Sequence, residues 1–178
     1  IGGLAGQHAL LESKVLVVGA GGIGSTVILY LAACGVGHLT IMDYDSVEIS
    51  NLHRQIIHDS THDSLHTNKA QSAQRRVQQL NPTIQCSTIE EPLTSTNALH
   101  IVSQFDVIVD ATDNPQTRYM INDACVLCDR DIPLVSGSAI GTEGQLSVYN
   151  YHFPTSTNLD SSPSSSSSKD QGDSNGPK

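Results

Sequence analysis

Six residues, Gly19-Ala20-Gly21-Gly22-Ile23-Gly24, constrain this chain most, because of what stands on either side of them. Before them, Lys14 to Gly19 (KVLVVG) is a β-branched run suited to a parallel strand buried on both faces. After them, Gly22 to Cys34 has helical spacing, with Ile23, Val27, Leu31 and Cys34 on one stripe. A glycine turn between strand and helix lets the backbone reverse tightly, and it leaves unpaired N–H groups at the helix start, where phosphate binds. Gly35 and Gly37 break the helix, and Leu39 to Asp43 (LTIMD) follows as a second strand. Asp43 then occupies the place from which an acid accepts hydrogen bonds from ribose hydroxyls. The pattern serves NAD, FAD and ATP alike. Its competing local explanation is a turn needed only for close helix–sheet packing.

The rest of the chain repeats the alternation. Asn68 to Leu80 has helical spacing and ends at Asn81-Pro82. Thr83 to Ile89 reads as a strand, Ser95 to Gln104 as a short helix, and Phe105 to Ala111 (FDVIVDA) as a buried strand. Asn114 to Cys128 is helical, while Pro133 to Ser138 and Gln145 to Tyr151 are strand-like. Strands alternating with helices predict an α/β fold: a doubly wound, mostly parallel, Rossmann-like sheet with helices on both faces. Between the second strand and the next helix, Asp45 to Asn68 is polar and too long for an ordinary connector, which marks it as a functional loop.

Length and composition bound the reading. The 178 residues suit one domain. From Pro154 onward the chain holds nine serines, three prolines and one large aliphatic residue, Leu159, too little to bury, so 154–178 is expected to be a disordered tail beside a domain spanning 1–153. The opening at Ile1 and this low-complexity end give the expectation of a fragment, incomplete at both ends. A formal charge of -9 argues against direct binding of nucleic acid, though a few converging cations can still hold a nucleotide. With no apolar run of spanning length and no signal pattern, a membrane is not expected. Four cysteines make no disulfide framework and fit a reducing cytoplasm.

The nucleotide is chosen by a wider set of motifs. These are Asp43-Tyr-Asp45-Ser-Val-Glu-Ile-Ser50-Asn51-Leu52-His53-Arg54-Gln55, Lys69, Leu80-Asn81-Pro82, Asp110-Ala-Thr-Asp113-Asn114, Thr117-Arg118-Tyr119 and Glu143-Gly144-Gln145. In register with the glycine turn, they resemble the ThiF/MoeB/HesA branch of the ubiquitin-activating-enzyme superfamily, over about Gly3 to Tyr151. Asn122-Asp123-Ala124-Cys125 and Val148-Tyr149 are similar to its eukaryotic members that serve molybdopterin synthase.

The resemblance implies adenylation, by ATP with Mg²⁺, of the C-terminal glycine carboxylate of a ubiquitin-like sulfur carrier in molybdopterin synthesis or tRNA thiolation. It also implies a homodimer in the full-length form. Carried over by position, Gly19, Gly21, Gly22 and Gly24 form the nucleotide turn, with Gly22 against the nucleotide, and Asp43 and Asp45 lie at the ribose end. Ser50, Asn51, Leu52, His53, Arg54 and Gln55 form a nucleotide-contacting loop. Arg54 and Lys69 act on the phosphates as catalytic cations, both partly exposed. Asp113 is the third catalytic residue and faces Mg²⁺, with Asn114 beside the nucleotide. Local chemistry agrees at two places. A cation in the first turn of a helix, such as Lys69, is disfavoured unless an anion intervenes. Asp113 follows a strand at its carboxyl end, where open α/β sheets bind ligands. A truncated nucleotide-binding pseudo-enzyme and an NAD-dependent oxidoreductase remain the alternatives.

Other residues take plainer readings. Asp110 reads as a capping or loop carboxylate, Tyr119 and Met120 as packing, and His53, His58, His62 and His66 as a solvated surface, because their spacing is irregular for a metal. Relatives carry two C-x-x-C pairs for structural zinc. Here Cys125-Val-Leu-Cys128 supplies one pair within a helix, read as apolar, and His152-Phe153-Pro154 stands where the other pair begins, so no zinc ligand is assigned.

Overall fold

A computed structural model of the chain describes residues 3–61 and 65–152. His62 and the proposed tail from Pro154 lie outside these residues. In chain order the elements are α1 (Gly3–Glu12), β1 (Lys14–Val18), α2 (Gly22–Cys34), β2 (His38–Met42), a 3-10 turn (Ile49–Asn51) and α3 (Lys69–Leu80). There follow β3 (Gln85–Ile89), α4 (Ala98–Val102), β4 (Val107–Asp110), α5 (Pro115–Leu127), β5 (Leu134–Ile140) and β6 (Glu143–Tyr149).

The strands form one sheet in the order β3-β2-β1-β4-β5-β6, parallel except for β6, which pairs antiparallel with β5. The continuous apolar run of β1 is explained by two cores. Val15 and Val17 face Ile28 and Ala32 of α2 and Ala70, Ala73 and Val77 of α3. Leu16 and Val18 face Ala98, Ile101 and Val102 of α4 and Ile121, Ala124 and Cys125 of α5. Strand order reverses direction between β1 and β4, and in such sheets the crevice at the carboxyl ends of those two strands is the ligand site.

Local signals explain the helix limits. Gly35 closes α2 in the left-handed region, at φ 83°. Asn68 caps α3, its side chain accepting from the amides of Ala70 and Gln71, and Asn114 caps α5 by accepting from Gln116 N.

Three expectations are corrected. The fully buried positions of α2 are Gly24, Ser25, Ile28 and Ala32, while Ile23, Val27 and Leu31 pack at the margin and Cys34 is exposed. The sheet meets α2 one residue around from the apolar stripe, because Gly24 permits close approach there. Helix α1 was not anticipated; it buries no residue, so its sequence carries no strong apolar face. Tyr119 is exposed on α5 and belongs to neither core, whereas Met120 does pack against the second core. No helix among the described residues is long and apolar enough to cross a membrane.

Candidate active site

The glycines of the turn divide by role. Gly19 sits at φ 97°, and a Cβ there would come within 2.8 Å of the Ala111 carbonyl oxygen. A Cβ on Gly24 would lie 1.9 Å from the Gly19 carbonyl oxygen. Packing therefore accounts for these two. It does not account for Gly21 and Gly22, whose added Cβ atoms would meet nothing closer than Gln55 Nε2 at 3.7 Å and Arg54 Cγ at 3.6 Å. Gly21 is the N-cap of α2 and offers no side-chain cap, so the first amides of that helix face outward without a side-chain partner of their own.

Asp43 follows β2 beside this turn. One carboxylate oxygen accepts from Ala20 N at 2.7 Å and the other from Asp45 N at 2.9 Å. Burial raises its carboxyl above the ordinary value, while those amides and the Lys69 charge pull it back down. Asn68, which the sequence reading used only as a helix boundary, donates through Nδ2 to the Asp43 carbonyl at 2.9 Å and so ties the end of β2 to α3.

Lys69 corrects an expectation. It is 7 % exposed, not partly solvated, and its ammonium lies 2.9 Å from Asp45 Oδ2. The anion required beside a cation in a first helical turn is supplied by Asp45 in this structure. Asp45 itself is half exposed, so the pair borders the crevice.

The loop after β2 carries Ser50 to Gln55 and brings Arg54 and Gln55 against the glycine turn. Arg54 donates through Nη2 to Asn51 Oδ1 at 2.8 Å and approaches His53 Nε2 at 3.2 Å. His53 Nδ1 lies 3.0 Å from the Ser50 carbonyl, and Ser50 Oγ donates to Glu48. Leu52 continues the turn and makes no polar side-chain contact. Gln55 is 4 % exposed, and its Oε1 has no hydrogen-bond partner, the one such buried side-chain atom among the described residues. The orphaned acceptor belongs to a side chain that packs beside Gly21, and such a buried atom is met by a ligand or a water.

At the end of β4, Asp110 is a buried hub instead of a loop carboxylate. It accepts from Arg118 Nε at 2.6 Å, Ser136 Oγ at 2.7 Å, and Thr112 N and Oγ1 at 3.0 and 2.6 Å. Arg118 also donates to the carbonyls of Thr112 and Gly137. This network stiffens the turn that projects Asp113, which is exposed and takes part in no ion pair among the described residues. Asn114, assigned to the nucleotide, has its side-chain oxygen engaged in capping α5, leaving its amide group for any ligand.

The histidines separate. His53 and His66 are exposed as anticipated, but His58 is buried against the glycine turn, a correction explained below by its two polar partners. Burial pushes the Cys125 thiol up to about 12 and the Cys86 thiol up to about 11, so neither is a thiolate nucleophile near neutral pH. A cavity of about 720 Å³ lined by Lys14, His38, Gln85, Asp106 and Arg130 opens at the other end of the sheet. It gathers none of the residues assigned here, and the carboxyl-end crevice is the better-founded site.

Comparison with known proteins agrees with this geometry. An Arabidopsis thaliana protein named adenylyltransferase and sulfurtransferase MOCS3 is 56 % identical over 147 residues, covering 83 % of this chain and 31 % of that protein. UBA4 of Debaryomyces hansenii, with the same activities in its name, is 48 % identical over 151 residues, covering 85 % and 33 %. The chain thus spans about a third of the length of the curated relatives it matches. Among solved structures, the E. coli tRNA N6-threonylcarbamoyladenosine dehydratase TcdA in complex with ATP matches with a TM-score of 0.70 and 28 % identity, over 79 % of this chain and 58 % of that one. E. coli MccB with ATP matches with a TM-score of 0.66 and 30 % identity, over 74 % and 38 %. The ThiF family matches residues 1–176. On the matched length, the sheet order and the motifs held in register, the chain belongs to the ThiF family.

Proposed function

We propose that this chain is the ATP-binding portion of an enzyme that adenylates the C-terminal glycine carboxylate of a ubiquitin-like sulfur carrier and releases pyrophosphate. The observation that carries the reading is the placement of Arg54. Its guanidinium is held by Asn51, and its stem lies against Gly22 at the uncapped start of α2. A cation fixed over helix amides suits a polyphosphate. The relatives' names and the ATP-bound neighbours support the same class of chemistry.

In this reaction a carrier carboxylate oxygen attacks the α-phosphorus, the bond from that phosphorus to the bridging oxygen breaks, and pyrophosphate leaves with the electron pair. The attacking and attacked groups are both anionic, so positioned positive charge dominates the barrier. The free amides of α2 and Arg54 would hold the phosphates, and Asp43 the ribose. Lys69 would divide its ammonium between Asp45 and phosphate oxygen as charge develops. Mg²⁺ takes one or two carboxylates together with nucleotide phosphates, and Asp113, an exposed carboxylate after β4 with no ion pair among the described residues, fits that donor set. When bound, the metal would neutralise phosphate charge. Residues Ser50 to Gln55 would close over the nucleotide and exclude water, with Gln55 bringing its unmet acceptor to the ligand.

Carrier-dependent ATP–pyrophosphate exchange tests the proposal, using a ubiquitin-like carrier ending in Gly-Gly. Incorporation of labelled pyrophosphate into ATP only when the carrier is present is the expected result. Exchange that is independent of the carrier, or no exchange in a longer protein containing this chain, would contradict it.

A further inference from the structure

Both polar backbone groups of one residue in the glycine turn, Ala20, are held by side chains from outside it. The Ala20 amide donates to Asp43, and the Ala20 carbonyl lies 2.9 Å from His58 Nε2. The other ring nitrogen, Nδ1, is 2.9 Å from Ser72 Oγ on α3. His58 is only 6 % exposed and Ala20 is fully buried, so water does not substitute for either contact. A carbonyl oxygen can only accept. The contact with Ala20 therefore requires the proton on Nε2, and a neutral ring then accepts the Ser72 hydroxyl proton at Nδ1. Both polar ring atoms are satisfied by one tautomer, which makes the buried imidazole tolerable in an apolar setting.

From this geometry we infer that His58 is a positioning residue for the nucleotide turn, its neutral Nε2–H form locking the Ala20 peptide to α3. The turn is thereby coupled to the helix that carries Lys69, while Asp43 fixes the preceding Gly19–Ala20 peptide from the end of β2. The Gly21 amide is the other end of the peptide whose carbonyl His58 holds, and the Gly22 amide follows it, so the lock sets where these proposed phosphate-facing groups point. The charged groups around the ring are Asp43 from the end of β2, Lys69 from α3 and Asp59 from its own segment. Burial and Lys69 hold the ring neutral, and the two carboxylates oppose them. The consequence for binding rests on the proposed nucleotide site; the lock itself does not.

Three substitutions in the 178-residue chain separate positioning from packing. His58→Gln places an amide N–H near the Nε2 position, His58→Asn reaches only toward Nδ1, and His58→Leu keeps volume without polarity. Two readouts are used: amide hydrogen exchange at Ala20 in the ligand-free chain, and the Kd for ATP–Mg²⁺ by calorimetry. For the wild type, ¹⁵N shifts of the ring report its tautomer. The expected result is Nε2 protonated and Nδ1 not, with His58→Leu and His58→Asn speeding Ala20 exchange and weakening ATP by about fivefold to tenfold, the scale of one buried hydrogen bond. Exchange in β4 stays unchanged, and His58→Gln recovers most of both losses. A proton on Nδ1, or equal effects of Gln and Asn, overturns the inference. If His58→Leu fails to fold, the Gln and Asn pair and the tautomer decide. If the wild type binds no ATP, the functional reading falls, while Ala20 exchange and the tautomer still judge the lock.

Discussion

Two glycines two positions apart should respond oppositely to the same methyl group. In Gly24→Ala the new Cβ would stand 1.9 Å from the Gly19 carbonyl oxygen, which belongs to backbone that is pinned. Gly19 N donates to Met42 O at 2.8 Å, and the Gly19 φ of 97° has no L-residue-like alternative. The clash must be relieved by moving the start of α2 off β1 by more than a bond length's fraction, so the cost belongs at the upper end of the roughly 1–3 kcal/mol seen for overpacking. Alanine's better helix propensity returns at most about 1 kcal/mol of that. The net of about 2 kcal/mol corresponds to a fall in Tm of roughly 4–8 °C in a chain of this size. In Gly22→Ala the nearest atom, Arg54 Cγ, is 3.6 Å away, an ordinary contact, so stability should change by no more than about 0.5 kcal/mol. That methyl would instead project toward the proposed phosphate position and weaken ATP–Mg²⁺ binding. Thermal unfolding by circular dichroism and calorimetric titration on both variants give the answer. Equal losses of Tm in the two variants, or unchanged ATP affinity in Gly22→Ala, would refute the division of the turn into packing and ligand-facing glycines.

Further outcomes follow from the same contacts. Arg54→Ala, at an exposed position, should leave Tm within a degree or two yet lower carrier-dependent exchange by about 10²–10³, the usual loss for a donor aimed at developing charge. Lys69→Ala should reduce exchange and also cost about 1 kcal/mol of stability in urea unfolding, a small loss because the Asp45 carboxylate left without its partner is half exposed to water. Arg118→Ala should destabilise by about 3–5 kcal/mol through the unpaired Asp110 carboxylate, and Asp110→Asn in the same chain should restore part of it. For pH, burial holds the folded His58 pKa below its unfolded value of 6.5. The unfolded chain therefore takes up the proton first, so this contribution to stability is complete above 6.5 and declines as pH falls from there toward the folded value. Urea titrations at several pH values should show that decline in the wild type and lose it in His58→Gln.

Much of this arrangement was legible in the residues alone because its signals are local. The KVLVV run, the glycine turn and the Gly35 stop mark β1 and α2 to within a residue of where they lie. Asp43, Arg54 and Asp113 all reach the carboxyl end of the sheet, as their motif positions imply. What escaped was burial of polar groups. Lys69, His58 and Asp110 look solvated in a sequence, since polarity predicts exposure unless the partner is known. Their partners come from elsewhere: Asp45 is 24 residues from Lys69, Ala20 is 38 from His58, and Ser136 is 26 from Asp110. Helix α1 escaped for the opposite reason, having no buried residue to impose an apolar period.

The central claim is that the crevice between β1 and β4 is built for a triphosphate. Calorimetric titration of the chain with ATP–Mg²⁺ and, separately, with NAD tests it most directly. Tighter binding of ATP–Mg²⁺, lost in Arg54→Ala, is the predicted result; tighter binding of NAD, or ATP affinity indifferent to Arg54, would contradict it.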